Sequence, residues 1–168
     1  GLSFGAFGGR ADVMQRYDPR SNSALQHAGT FNNNVLTMAA GLAGLTQVLT
    51  ADGLDALNAR GDALRQRLNA MFAQQGVALQ VTGLGSLMQL QVVAGAIRNA
   101  DDLTASDDRL KALLFFDLLA RGVFMARRGL MALSLPFDDA AVAELEAAMR
   151  DVVAERRDLL HAASAAVA

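Results

Sequence analysis

The sequence predicts an α+β fold, a small antiparallel sheet covered by helices on one face, preceded by the end of a larger domain. Two observations predict it. From Gly53 onward, segments with apolar residues at helical spacing alternate with pairs of short segments in which apolar and polar residues alternate, giving the order helix, two strands, helix, two strands, helix. Residues 1–33 have no elements able to bury their own apolar side chains, so they read as belonging to another domain. The expected division is 1–33 as the end of that domain, 34–52 as a connecting helix and 53–168 as the C-terminal small domain.

Each element has a local reason. Gly1, Gly5, Gly8 and Gly9 lie among Phe4 and Phe7, a pattern of short extended segments turning where little or no side chain is tolerated. A short helix is expected from Arg10 to Tyr17, ended by Asp18-Pro19, because the residue before proline is pushed out of helical space. Residues 18–34 read as a long loop, of the kind that often carries function. From Asn34 to Thr50, Val35, Met38, Ala39, Leu42, Leu45 and Leu49 recur at helical spacing, with close backbone packing expected at Gly41 and Gly44 to offset their cost of about 1 kcal/mol each. The next helix, Gly53 to Gln75, carries Leu54, Leu57, Leu64, Leu68, Met71 and Phe72 as one stripe and Gly76 at its C-cap.

The period then becomes two. Residues 77–82 and 87–92 form an expected hairpin turning at Gly83-Leu84-Gly85. Thr104-Ala105-Ser106-Asp107 resembles a capping box for a helix carrying Leu110, Leu113, Leu114, Leu118 and Leu119 to Gly122. Residues 123–125 and 130–135 read as two further strands, closed by Pro136. Asp138 or Asp139 caps a last helix whose seam is Val142, Leu145, Met149, Val152 and Leu159, with an alanine-rich tail expected to fray from His161.

Composition excludes several classes. With 52% apolar and 19% charged residues the chain is not of disordered type, and 168 residues suffice for one domain with a real core. Net charge is −2 and the arginines are scattered, so nucleic acid is not an expected partner. No apolar run approaches the roughly 20 residues a bilayer needs, so no membrane association is expected. The absence of cysteine rules out disulfides and thiolate chemistry and leaves the redox compartment open, with the cytoplasm as the default expectation. His27 and His161 are the only histidines, and neither a histidine metal site nor any other metal is expected. The start within glycine-rich sequence, without Met, suggests a fragment.

Gly1-Leu2-Ser3-Phe4-Gly5-Ala6-Phe7-Gly8-Gly9-Arg10, then His27-Ala28-Gly29-Thr30-Phe31-Asn32-Asn33-Asn34 and Met38-Ala39-Ala40, resembles the class III aminotransferases of fold type I, which use pyridoxal 5'-phosphate. Thr82-Gly83-Leu84-Gly85-Ser86-Leu87-Met88 and Gly122-Val123-Phe124 are similar to strand starts in the small domain of that family. Within it, Gly29 to Val35 and Arg127-Arg128-Gly129 before Ala132-Leu133-Ser134-Leu135 look most like the β-amino acid (β-phenylalanine) aminotransferases, relatives of the glutamate-1-semialdehyde aminomutases. The resemblance implies that residues 1–33 are the C-terminal remnant of an α/β cofactor-binding large domain, and that the Schiff-base lysine lies upstream of Gly1. No catalytic residue is then expected within this chain, and the chain alone should be inactive.

The same resemblance implies site roles. Gly29 and Thr30 would contact the cofactor phosphate, reaching the cofactor of a partner subunit in a homodimer; a hydroxyl and backbone N–H groups before a helix start suit that ligand. Arg128 would hold a carboxylate of the amino donor or of a 2-oxo acid acceptor, since a guanidinium matches a carboxylate with two parallel bonds. Arg127 reads as its solvated neighbour, His27 as a satisfied loop histidine, and Asn32, Asn33 and Asn34 as residues that tie the loop and cap the helix. Lys111, the only lysine, reads as a solvated helix residue. The missing N-terminal half of the enzyme is a required partner in this reading. Two alternatives stand beside amino transfer: the aminomutase reaction, and a non-catalytic interaction domain that kept the fold.

Overall fold

A computed structural model describes residues 2–30, 32, 34–104 and 106–165, with 162–165 described by backbone only. The chain divides into two compact units, Gly1–Ala51 and Asp52–Ala168.

In the first unit, α1 (Ala11–Met14) runs into a single 3-10 turn, Gln15–Tyr17. The Asp18 carboxylate then accepts from the backbone N–H and guanidinium of Arg20, and the Leu25 N–H donates to the Arg16 carbonyl, folding the loop back on itself. Phe7, Tyr17 and His27 pack as a trio, with ring centroids 5.3 Å apart for Phe7–Tyr17 and 5.0 Å for Phe7–His27. α2 (Val35–Ala43) begins at Asn34, whose side chain accepts from the Thr37 N–H at 3.1 Å, as an N-cap should. The helix expected to continue to Thr50 instead widens into a π turn at Gly44–Val48, where the Leu49 N–H reaches the Gly44 carbonyl. The packing expected at Gly41 and Gly44 is also revised. Gly41 faces the Phe4 ring and no backbone, and Gly44 faces open space. Nor does anything within 4 Å crowd Gly5, Gly8 or Gly9 among the described residues.

The second unit is organised by α3 (Ala51–Gln75), α4 (Asp108–Leu119), α5 (Asp139–Glu155) and α6 (Arg157–Ala165). The sheet is antiparallel in the order β1 (Gln80–Leu84), β2 (Leu87–Gln91), β3 (Leu130–Ala132). Register places Val81 opposite Leu90 and Met88 opposite Met131, so these four share the core face. Leu64, Leu68, Phe72, Leu114, Leu118, Val142, Leu145, Met149 and Val152 cover them. Thr82, Gln89 and Gln91 lie on the other face.

α3 also positions the hairpin through polar side chains. Asn58 and Asp62 accept from the N–H groups of Ser86 and Gly85, both at 3.0 Å. The Asp62 carboxyl is held below its ordinary range by the Arg65 guanidinium and the Gly85 N–H. Gly61, immediately before Asp62, faces the Gly85 backbone so closely that a Cβ there would collide with its carbonyl. Asn69 takes both backbone groups of Val81, donating to the carbonyl at 2.9 Å and accepting from the N–H at 2.7 Å.

Several expectations are corrected here. The hairpin turns at Gly85-Ser86, and residues 77–79 stay outside the sheet as buried chain, with the Ala78 N–H donating to Leu160. The capping box sits earlier than expected, at Asn99 and Asp102 of a short 3-10 turn, while Asp107 is itself the N-cap of α4; Ala105 lies outside the described residues. Residues 123–125 stay outside the sheet, and Val123 donates back to Leu118 and not across to a strand. β3 is shorter than the apolar run that predicts it, ending before the turn at Leu135-Pro136.

Of the two candidate caps, Asp138 caps α5. The helix then breaks at Arg156, which leaves helical geometry with ψ near 12°, and the seam slips by one residue: Leu160 is 0% exposed and Leu159 is 49% exposed. Arg156 is fixed at this break by two bonds to the Asp117 carboxylate, at 2.7 and 2.9 Å. α6 continues to Ala165, past the point where fraying was expected.

Candidate active-site segments

Gly29 and Thr30 lie in the turn Gly29–Asn32, closed by the Asn32 N–H donating to the Gly29 carbonyl at 3.0 Å. The Asn32 amide folds back over Gly29 and donates to the His27 carbonyl at 3.3 Å. A Cβ on Gly29 would stand 2.7 Å from Asn32 Oδ1, so a side chain there would displace the amide that ties the turn. Thr30 follows at the outer corner, exposed, and its hydroxyl has no partner among the described residues. Phe31 and Asn33 lie outside the described residues. Of the asparagines, Asn32 ties the loop and Asn34 caps α2. His27 borders an open cleft with Ser3, Phe4, Asn32, Thr37 and Met38, its ring packed on Phe7 and Tyr17.

Arg128 lies in the second unit, in the turn Ala126–Gly129 that leads into β3. The Gly129 N–H donates to the Ala126 carbonyl at 2.7 Å, placing Arg127 and Arg128 at the two central positions. Gly129 has φ +92°, and a Cβ there would approach the Leu90 carbonyl to 2.5 Å, so only glycine fits. Arg127, Arg128 and Asp108 border one open cleft, and neither guanidinium has a hydrogen-bond or ion-pair partner among the described residues. Asp108 is paired with Lys111 at 2.9 Å, so the cleft carries net positive charge and suits an anion. At the N-cap of α4, burial pushes the Asp107 carboxyl up, but the N–H groups of Leu110 and Arg109 outweigh it and hold the group below its ordinary range.

Lys111 corrects the sequence reading. It is 8% exposed, and its ammonium also donates to Gln91 Oε1 at 3.4 Å. Its stem lies among α4 and β2, where the spacing of α4 places it beside the apolar seam. Sequence reasoning missed Gln89, whose side-chain amide donates to the Arg128 carbonyl. Strand alternation marks Gln89 as polar-facing, but the bond becomes visible only with the β2–β3 register.

The family model for class-III aminotransferases matches residues 1–152. The chain belongs to the class III aminotransferases. This class III chain is 52% identical over 160 residues to the β-phenylalanine transaminase of Variovorax paradoxus, covering 95% of the chain and 37% of that relative. It is similar to the crystal structure of a β-phenylalanine aminotransferase from Variovorax paradoxus, with a TM-score of 0.84 and 51% identity, covering 91% of this chain and 35% of that one. The glutamate-1-semialdehyde 2,1-aminomutase of Limosilactobacillus reuteri is 35% identical over 126 residues, 75% of this chain and 28% of that protein. The chain thus spans about a third of the length of the curated relatives it matches. The fold is that of type I aminotransferases. Among the described residues no single helix is long and apolar enough to cross a membrane.

Proposed function

We propose that this chain is the C-terminal part of a homodimeric aminotransferase that moves the amino group of a β-amino acid such as β-phenylalanine to a 2-oxo acid. The observation that carries this reading is the 52% identity to the Variovorax paradoxus β-phenylalanine transaminase over 95% of the chain. Residues 1–33 are assigned to the end of the cofactor-binding large domain, 34–52 to the connecting helix and 53–168 to the small domain.

Class III aminotransferases depend on pyridoxal phosphate. When bound, the cofactor supplies an electron sink for the carbon that loses or gains the amino group. The residues present fit part of it. Thr30 offers a hydroxyl without a partner among the described residues, on a turn four residues before the N-cap of α2, which suits one phosphate oxygen, and we assign it to the cofactor of the partner subunit, with Gly29 shaping the turn. The chain's one lysine, Lys111, is engaged by Asp108 and Gln91, so the amine that holds the aldehyde is assigned to another part of the enzyme. Arg128 clamps the carboxylate of the donor or of the acceptor and so orients the substrate, its two parallel N–H donors setting the carboxylate plane.

Three measurements test this. In the complete enzyme, Thr30→Ala should raise the cofactor dissociation constant about tenfold, as the loss of a bond to a charged oxygen does; unchanged affinity removes the assignment. Arg128→Ala should raise the KM of a carboxylate substrate about tenfold or more, and unchanged KM and turnover remove that role. The 168-residue chain alone, mixed with pyridoxal phosphate, should show no absorbance band of amine-bound cofactor.

The similarity to the aminomutase of Limosilactobacillus reuteri favours a second reading, movement of the amino group within glutamate-1-semialdehyde. Dependence of turnover on an added 2-oxo acid separates the two: transfer requires it and isomerisation does not.

A further inference from the structure

Taking Arg128 as the carboxylate clamp proposed above, we infer that Gln89 is the residue that positions it. The turn carrying Arg128 is closed by Gly129 N–H to Ala126 O at 2.7 Å and tied to the sheet through its backbone in two places: Ala126 N–H to Leu130 O at 3.1 Å and Leu90 N–H to Gly129 O at 2.9 Å. None of these fixes the carbonyl of Arg128 itself. That carbonyl accepts from Nε2 of Gln89, on the central strand β2, where Gln89 registers with Leu130 of β3 on the face opposite the core.

The consequence is geometric. The peptide plane after Arg128 is held at its oxygen by Gln89 and at its nitrogen by Ala126, which restrains rotation of that plane and so the ψ of Arg128. With ψ restrained, the Cα–Cβ bond of Arg128 is confined to a narrow range of directions, while its guanidinium keeps no partner among the described residues and stays available for an anion. A long side chain held at its root and free at its tip loses less entropy on binding than one on a rocking turn. Gln89 is a positioning residue: its bond is to the Arg128 backbone, and its action on substrate passes through Arg128. The remaining backbone bonds keep the turn closed without it, so its loss is expected to leave the fold in place.

The test is a double-mutant cycle in the complete enzyme with cofactor bound, reading steady-state KM and kcat for each carboxylate substrate. Gln89→Met keeps the side-chain length and removes the donor. It is expected to raise by about fivefold the same KM that Arg128→Ala raises, as the loss of one hydrogen bond does, with kcat at saturation and the melting temperature close to those of the parent. In the Arg128→Ala background the Gln89 substitution is expected to add nothing. Should the Met variant fail to fold, Gln89→Asn, which keeps the amide but retracts it by one carbon–carbon bond, is expected to give the same KM rise. If Arg128→Ala alters no KM, the clamp reading itself falls and the role of Gln89 with it. If Arg128→Ala raises a KM but the Gln89 variants do not, or if their effect persists undiminished without Arg128, the clamp stands and the positioning role of Gln89 is wrong.

Discussion

In Asp52–Ala168 the helices and sheet close around Leu64, Phe72, Leu118 and Met149, all 0% exposed, whereas in Gly1–Ala51 Gly41 is the only buried described residue and Val35 and Leu36 stand 78% and 68% exposed. The second unit supplies its own hydrophobic driving force. The first is held by local hydrogen bonds, a helix cap and the Phe7–Tyr17–His27 trio, and its helix α2 carries apolar side chains on surfaces that nothing in the unit covers. The cofactor candidate Thr30 therefore sits on a unit whose stability is local, and the substrate candidate Arg128 on one whose stability is cooperative.

Truncation mutants put the largest strain on this contrast. Phe72→Ala should cost about 4 kcal/mol in urea denaturation of the chain followed by circular dichroism, because a fully buried ring leaves a cavity. Leu42→Ala, at 65% exposure, should stay within about 0.5 kcal/mol of the parent. Equal losses would show that both units share one core and would end the comparison.

Glycine substitutions sharpen it at smaller scale. Gly61→Ala should destabilise by about 2 kcal/mol, since the new methyl meets the Gly85 carbonyl and α3 or the hairpin must shift. Gly44→Ala meets nothing within 4 Å and should be neutral or stabilise by up to about 1 kcal/mol, read in the same denaturation curves.

The smallest effects concern ion pairs. The Arg156 guanidinium holds the Asp117 carboxyl below its ordinary value of 3.8, against burial that pushes it up. A depressed carboxyl stabilises the fold at all pH above that ordinary value, and the contribution is lost as pH falls from there through the folded-state value. Asp117→Asn should therefore cost about 1 kcal/mol at neutral pH and flatten the acid limb of the stability profile. In the first unit, Asp18 is also depressed, by the Arg20 guanidinium, but the pair is exposed and Asp18→Asn should leave the denaturation midpoint unchanged at neutral pH.

Much of the second unit was legible in the sequence because its signals are periodic. The α3 stripe from Leu57 to Phe72, the seam of α5 as far as Val152 and the alternation of β1 and β2 follow from spacing, whereas Leu54, expected on the same stripe, is 37% exposed, and spacing left both Asp138 and Asp139 as caps of α5. What escaped depends on tertiary contacts. Leu160 replaces Leu159 in the core only because Arg156 is drawn out of the helix by Asp117, 39 residues earlier. Lys111 is buried because Asp108 and Gln91 satisfy its ammonium; Asp108, three residues earlier on α4, follows from the helical period, but Gln91 on β2 does not. Residues 123–125 have strand-forming side chains, but Val123 donates back to Leu118, and it is Ala126, just beyond them, that donates to Leu130 of β3. Of the candidate site, the positions Gly29, Thr30 and Arg128 came from motifs, and neither the Thr30 hydroxyl nor the Arg128 guanidinium has a partner among the described residues. Gln89 was out of reach because its meaning lies in the pairing of β2 with β3.

The amide of Asn69 has a consequence for the molecule in concentrated solution. β1 forms a rim of the sheet, and an open rim is a template on which a foreign strand can zip. By occupying both main-chain groups of Val81, Asn69 blunts that rim with two bonds from within the same chain. One asparagine on α3 thus guards against filament growth from that side.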